Sequence, residues 1–454
     1  MGYTVTNPYT GETLKTFSVQ SDAEIEAALK KAEDFYQKQK KVAVAARAAK
    51  LKRFGEVLLA HKEELAHEAA LNMGKRLSEG RGEVELCVKL AEYYASNVEL
   101  LQSKPYSYAG GKKALLEYHS LGIIASIEPW NFPYSQVVRV LAPNYLIGNP
   151  VVLKHAGIVA GCASLLEKMV QEAGWEEGAF KNLFVSHKQV SQIIADERVQ
   201  GVALTGSEAV GRTIAGAAGK SLVKSTMELG GSDVFAILDD ADLRLAVADA
   251  TSARLRNCGQ VCTSAKRFIV EKKVAAEFIA GIKKTFTTQQ MGDPLDETTE
   301  LAPLSSHNAA VELQKQVDTA IARGAKVLVE GGIVEGKGNF FKPVVLTDVT
   351  TDNPAYRQEF FGPVAQVFIA ENDDEVVALA NDSDYGLAGA VYGKDETRAH
   401  RVASQIETGQ VFINRPSGAY PELPFGGVKH SGYGREMSDL GLYEFTNQKI
   451  IVFK

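Results

Sequence analysis

Only four of the 454 residues are cysteines, Cys87, Cys162, Cys258 and Cys262. They are too few and too scattered for a disulfide framework, and none stands at zinc-site spacing with histidines, so no metal is expected. The scarcity fits a reducing compartment, and a cytoplasmic protein is expected. Long apolar runs are missing as well: there is no stretch of about 18 apolar residues, which argues against a membrane partner. The start, Gly2-Tyr3-Thr4-Val5-Thr6-Asn7-Pro8, shows no charged-then-apolar leader pattern. Positive charge is not in excess: the formal net charge of -6 supplies no global basic field of the kind that holds nucleic acid. Internal repeats, low-complexity segments and long linkers are absent, and so is any Gly-x-Gly-x-x-Gly dinucleotide fingerprint.

What is present is an ordinary globular composition, 45% hydrophobic and 23% charged, on a chain longer than one hydrophobic core supports. Two or three domains are expected. From Ser21 to about Ser103 apolar residues recur three or four apart in Ala-rich and charge-rich stretches, the pattern of surface-packed helices. After Tyr106 short β-branched runs alternate with helical ones: Leu121 to Ile127, Val151 to Lys154, Leu183 to Ser186 and Val199 to Thr205. A second series follows at Asp233 to Leu238, Arg267 to Val270, Val364 to Phe368, Ala388 to Tyr392 and Gln410 to Ile413, with Gly230-Gly231 as the natural hinge between them. Alternation of this kind reads as βαβ units and parallel sheets, an α/β fold. The tail, Lys449 to Phe453, is a short apolar strand that is costly as a free edge, so it is expected to pair with a sheet, of its own chain or across a subunit boundary.

Chemistry concentrates in Asn257-Cys258-Gly259-Gln260-Val261-Cys262. A cysteine is more often a small buried hydrophobe than a nucleophile, and Cys87 and Cys162, in apolar helical contexts, keep that reading. Cys262 differs: Gly259 lets backbone approach closely, and Thr263-Ser264-Ala265 are small enough to leave space above a thiol. Upstream, Met227-Glu228-Leu229-Gly230-Gly231 sets a carboxylate against two glycines that would be wasted entropy in an ordered strand. A thiol and a base are suggested together. Thr205-Gly206-Ser207 follows a strand and opens a helical run, where free N–H groups and a hydroxyl suit a pyrophosphate, although a serine there is usually only an N-cap.

The cysteine segment, followed by Arg267, resembles the catalytic motif of the aldehyde dehydrogenase superfamily, and Met227 to Gly231 resembles that superfamily's general-base motif. Further matches run in family order: Glu128-Pro129-Trp130-Asn131-Phe132-Pro133, Leu153-Lys154, Leu204-Thr205-Gly206-Ser207, Glu359-Phe360-Phe361-Gly362-Pro363 and Leu423-Pro424-Phe425-Gly426-Gly427. The resemblance implies a Rossmann-like nucleotide-binding domain (1–104 and 121–229), an α/β catalytic domain (230–430) and a small β bridging element (105–120 and 431–454) forming a homodimer or homotetramer. It implies oxidation of a small-molecule aldehyde to an acid. Cys262 forms a thiohemiacetal and then a thioester, Asn131 and the Cys262 N–H serve the oxyanion, and Glu228 activates water. A base of that kind needs a pKa raised by a partly apolar site.

The resemblance also carries Thr205, Gly206 and Ser207 onto the cofactor diphosphate and Lys154 and Glu359 onto its two riboses. Trp130, Leu229, Gly230 and Phe361 complete that site. NAD-preferring relatives commonly carry a glutamate three residues after the lysine; here the position is Gly157, which removes repulsion of a 2'-phosphate. NADP or NAD is therefore expected, with a lean to NADP, and His155 is either a phosphate contact or a packed strand-end residue.

Arg139 and Arg256 match positions where succinate semialdehyde dehydrogenases bind the distal carboxylate of the substrate, and guanidinium forks suit that group. The alternatives are a structural Asp or Glu partner for each, and a neutral aliphatic or aromatic aldehyde as substrate. Ala419 stands where substrate-specific relatives often carry serine, with Ser417 close by and Arg415 as a further positive charge in the same loop. An acylating enzyme is disfavoured by the intact base motif, and a non-enzymatic α/β binding protein by the presence of thiol, base and oxyanion donor together. Cys258 is either a packed small side chain or the partner in a disulfide that would silence Cys262.

Overall fold

The structure, a computed structural model, describes residues 2–108 and 113–454. Part of the 105–120 segment expected in the bridging element, 109–112, lies outside the described residues. The helical N-terminal region divides into Asp22–Gln39, Val44–Ala60, Lys62–Met73 and Leu77–Ser96. Local chemistry sets the first of these: Ser21 and Glu24 form a reciprocal capping box, Asp22 and Glu24 occupy the first turn, and Ile25, Ala28, Leu29, Ala32 and Phe35 make the buried stripe. Gly80 allows the third and fourth helices to touch, since a Cβ there would lie 3.0 Å from the Ala66 Cα.

Two sheets carry the α/β part. In the six-stranded sheet the order is Gly432–Tyr433, Lys224–Glu228, Val199–Thr205, Ile123–Glu128, Val151–His155 and Phe180–Asn182. Its neighbours are parallel except at Gly432–Tyr433, which pairs antiparallel with Met227 and Glu228. That short strand was expected in the bridging element; the backbone polar groups of Met227 and Glu228 draw it onto the sheet edge instead. A second difference concerns Leu183 to Ser186, expected as a strand. The strand is Phe180–Asn182, because Ser186 is taken by a capping box with Gln189 that starts the helix His187–Ile194.

The seven-stranded sheet has the order Lys326–Val329, Val344–Thr347, Val364–Ala370, Ala265–Glu271, Asp233–Ile237, Ala388–Tyr392 and Gln410–Ile413, parallel but for the first strand. Strands buried on both faces explain the unbroken apolar runs in the sequence, as in Asp233–Ile237, where all five residues are buried. The C-terminal strand, Thr446–Val452, pairs antiparallel with Ala114–Ser120 and closes a three-stranded sheet with Lys104–Tyr106.

Between the two large sheets stand Gly230 and Gly231, and close approach dictates both. A Cβ on Gly230 would lie 2.4 Å from Glu359 Oε2, and one on Gly231 would lie 2.6 Å from the Cys262 carbonyl oxygen. The helix Ser135–Ile147 is buried along its whole length. Its first amides, Tyr134 N and Ser135 N, donate to the Glu83 carboxylate at 2.8 and 2.9 Å, so a buried acid caps the element that presents Arg139. Among the described residues no helix is long and apolar enough to cross a membrane.

Candidate active site

Cys262 follows a backbone turn that few residues tolerate. Asn257, Cys258 and Gly259 stand in succession at φ values of 50, 52 and 72°. Two consecutive non-glycine residues in this region store strain, which persists only when neighbours over-determine it. Those neighbours are visible. Asn257 N donates to Glu79 Oε1 at 2.8 Å, Asn257 Nδ2 donates to the Asn131 carbonyl at 3.0 Å, and Gln260 Nε2 donates to the Asn257 carbonyl at 3.0 Å. Gly259 is required twice over, by its φ and because a Cβ would lie 2.4 Å from the Gly362 carbonyl oxygen.

The turn delivers Cys262 to the wall of a cavity of about 570 Å³, lined also by Phe132, Gln136, Arg139, Arg256, Ala419 and Tyr420. This is a volume suited to a small substrate. Asn131, 3% exposed, is held in one orientation: its Nδ2 donates to the Gln260 carbonyl at 3.0 Å and its Oδ1 accepts from Gln136 Nε2 at 3.1 Å. An amide nitrogen has two hydrogens, so one N–H remains for an oxyanion. Burial pushes the Cys262 thiol up to about 11, against the pull of the Lys266 ammonium and the Arg139 guanidinium.

Glu228 is the last residue of its strand, paired in register with Thr205, and is 2% exposed. Both of its carboxylate oxygens lack a hydrogen bond among the described residues. Burial first, and then the carboxylate of Glu436, hold its pKa well above the usual carboxylate range. Gly426 lies against it, since a Cβ there would come within 2.6 Å of Glu228 Oε1. Glu436 was not singled out in the sequence. It lies 2.9 Å from Arg139 Nε, so the structural carboxylate partner considered for Arg139 exists. The same arginine nevertheless lines the cavity, stacks over the Phe425 ring at 4.6 Å, and has no hydrogen bond from its Nη atoms among the described residues. Arg256 is exposed, lies over the Phe132 ring at 5.8 Å, and has no carboxylate partner among the described residues. Ser417 is committed elsewhere, its hydroxyl donating to the Thr263 carbonyl at 2.7 Å, and Arg415 bonds the Tyr420 hydroxyl.

The residues expected to hold a dinucleotide lie mainly around the C-terminal end of the six-stranded sheet, where open α/β sheets bind ligands. Ser207 occupies the N-cap of the helix Glu208–Lys220, yet its side chain makes no cap hydrogen bond, unlike Ser21, Ser186 and Ser306. Hydroxyl and first-turn amides are thus left for an anion. Gly206 N donates to the Glu228 carbonyl at 2.9 Å, tying this turn to Glu228. Leu229 packs under the same helix, where a Cβ on Gly211 would meet its side chain at 2.6 Å. Lys154 has no carboxylate partner among the described residues, and burial lowers its pKa. His155 belongs to the scaffold: Nε2–H donates to the Pro133 carbonyl and Nδ1 accepts from Ala156 N, both at 2.9 Å, and burial holds the ring near a pKa of about 4. Trp130 and Phe361 meet edge to face with centroids 5.7 Å apart, and Glu359 Oε1 accepts from Gly231 N at 3.1 Å. The set fits a dinucleotide: an uncapped helix start, an unpaired lysine, and at Gly157 no acidic side chain.

All four cysteines are free. Cys258 is 3% exposed, and burial together with the Glu79 carboxylate raises its pKa. Reading the sequence missed Lys266 too. Its neighbour Arg267, the basic residue noted after the cysteine, points away, its Nη2 donating to the Leu379 carbonyl at 2.7 Å.

A model of the aldehyde dehydrogenase family matches residues 1–451. The chain is 46% identical over 450 residues to a succinate-semialdehyde dehydrogenase [NADP(+)] of Deinococcus radiodurans, covering 99% of this chain and 94% of that one. It is 40% identical over 441 residues to a succinate semialdehyde dehydrogenase [NAD(P)+] of Escherichia coli, covering 97% and 96%. It superposes on the crystal structure of succinic semialdehyde dehydrogenase from Streptococcus pyogenes in complex with NADP+ with a TM-score of 0.97, at 45% identity and with 99% of both chains covered. Agreement over essentially the whole length, in sequence and in fold alike, means that the chain belongs to the aldehyde dehydrogenase family.

Proposed function

We propose that this enzyme oxidises succinate semialdehyde to succinate with NADP or NAD, leaning to NADP. The observation that carries the substrate is the placement of Arg139 and Arg256 on the wall of the cavity that also holds Cys262. Two guanidinium groups facing one small cavity match a carboxylate at the far end of a short aldehyde. The names of the related enzymes agree with this reading.

In this reading the Cys262 thiolate attacks the aldehyde carbon, and the oxyanion accepts from the Cys262 N–H and the free N–H of Asn131. A dinucleotide, when bound, would supply the acceptor for the hydride that leaves the thiohemiacetal carbon. Glu228 then takes a proton from the water that attacks the Cys262 thioester, which releases the acid and restores the thiol. Thr205, Gly206 and Ser207 would hold the diphosphate and Lys154 the adenosine ribose, with space for a 2'-phosphate beside Gly157. Trp130, Leu229, Gly230, Glu359 and Phe361 would hold the nicotinamide end. The chain would divide into the nucleotide-binding, catalytic and bridging parts expected from sequence, with Gly432–Tyr433 moved to the first. It would assemble as a homodimer or homotetramer through the strand Thr446–Val452.

The test is Arg256→Ala assayed on succinate semialdehyde and on butanal. A lost charge-assisted contact of about 1.5–3 kcal/mol lowers kcat/KM for the semialdehyde on the order of 10- to 100-fold. Butanal turnover stays near wild type. Equal losses on both substrates would remove the carboxylate reading, and activity surviving Cys262→Ala would remove the mechanism.

A further inference from the structure

Lys266 is a fully buried lysine whose ammonium reaches three acceptors: the Val261 carbonyl at 2.8 Å, the Cys262 carbonyl at 2.6 Å and Glu359 Oε1 at 3.0 Å. The two carbonyls take hydrogen bonds from the ammonium, and the Glu359 carboxylate pairs with it as an ion. Two of the acceptors belong to the loop of the nucleophile, and the third is the carboxylate proposed above to hold a ribose. The two loops meet at a second buried cation. Arg254 donates to the carbonyls of Gly259, Phe360 and Gly362, and so joins the same two segments from the other side.

Resting on Cys262 as the nucleophile, we infer that Lys266 is a positioning residue that promotes ionisation of the Cys262 thiol, and that Glu359 tempers it. Geometry supplies the reason. A cation bonded to the backbone carbonyl of Cys262 sits within reach of a thiolate on that same residue, in surroundings dry enough for the charge to act with little screening. Glu359, paired with the same ammonium, partly cancels its charge. A Glu359 engaged by another hydrogen-bond donor shares its charge and leaves more of the lysine's to the thiol.

The charged groups facing Cys262 are few. Lys266 and Arg139 favour the thiolate, whereas Glu359 and Asp233 oppose it. Asp233, beside Lys266, is 4% exposed and held mostly protonated near neutral pH, its pKa raised to about 8 by burial. Of the two cations, Lys266 is bonded to the cysteine's own main chain, while Arg139 is engaged by Glu436.

The experiment is the pH dependence of iodoacetamide alkylation of the cofactor-free full-length enzyme, with the modified cysteine assigned by peptide mass. Cys87, Cys162 and Cys258 are at most 3% exposed, so Cys262 carries the signal. Lys266→Met is expected to shift the profile upward by about one pH unit, which means alkylation about 10-fold slower near neutrality. Lys266→Arg keeps a cation and is expected to stay close to wild type. Glu359→Gln removes the opposing charge and is expected to alkylate several-fold faster than wild type. Should Lys266→Met fail to fold, Glu359→Gln carries the test, because the amide keeps the shape of a side chain that is still 16% exposed. A Lys266→Met profile superimposed on wild type, or a Glu359→Gln enzyme no faster than wild type, overturns the inference. Failure of the nucleophile assignment shows separately, as aldehyde oxidation that survives Cys262→Ala.

Discussion

Two buried titratable residues show how burial alone prepares a side chain for different work. Among the described residues Glu228 has no hydrogen-bond donor on either oxygen, and its pKa is driven up by burial and by Glu436. It is therefore suited to take a proton near neutral pH instead of staying a spectator anion. Glu228→Gln is expected to keep a first burst of reduced cofactor and to slow steady turnover about 10²- to 10⁴-fold, with the rising limb of kcat against pH lost. Stopped-flow absorbance separates the phases, and steady turnover at the wild-type rate would show that another group activates water. His155 is buried to stay neutral, its folded pKa of about 4 lying below the ordinary 6.5. Between those values the unfolded chain binds more protons, so stability is lost as pH falls through this window, by roughly 3 kcal/mol in all. His155→Gln gives up two hydrogen bonds and is expected to be less stable at neutral pH, with a deficit that shrinks towards pH 4. Urea unfolding across that range measures it, and a constant deficit would mean that the ring does not titrate as described.

Elements, more than single residues, settle the cofactor end. The strand Val151–His155 runs into the short turn Gly157–Val159, and the helix Glu208–Lys220 begins at a serine that does not cap it. Ser21 and Ser186 carry the sequence signature of a capping box, Glu24 and Gln189 three residues on, although at Ser186 the run from Leu183 reads as a strand. At Ser207 the third residue on is Val210, which supports no capping box, but Ser306 caps its helix with Ala309 at the same offset, so the free Ser207 hydroxyl is legible only in the structure. Gly157→Glu introduces a carboxylate beside the presumed 2'-phosphate position, with a Cβ only 3.3 Å from the Tyr3 ring. Like-charge repulsion on the order of 1–3 kcal/mol lowers NADP+ affinity about 10- to 100-fold and leaves NAD+ less affected. Titration of both dinucleotides by protein fluorescence checks this. A wild-type enzyme with strong NAD+ preference would remove the premise.

At the scale of the whole molecule, the C-terminal strand is the exposed feature that asks for a partner. Ile450 and Val452 are 51% and 57% exposed on a strand paired along one edge only. An apolar edge of this kind is a template for pairing with another chain. Val452→Lys, on a side chain that supports little of the monomer's own core, is expected to shift the enzyme to smaller species in light scattering without unfolding it. An unchanged mass would remove the proposed assembly through this strand. The sequence alone determined the α/β class, the helical N-terminal region and the order of the family motifs, because apolar periodicity and residue type survive without coordinates. It also singled out Cys262, Glu228 and Asn131, since their neighbours in the chain carry the pattern. Tertiary structure decided what depends on pairs far apart in sequence: the Arg139–Glu436 contact and the crossing of Gly230 past Glu359. It also decided, between close neighbours, that Lys266 and not Arg267 reaches the Cys262 loop. A buried charge is set by what surrounds it, and those surroundings come from segments more than a hundred residues apart that meet only when the two sheets close on each other.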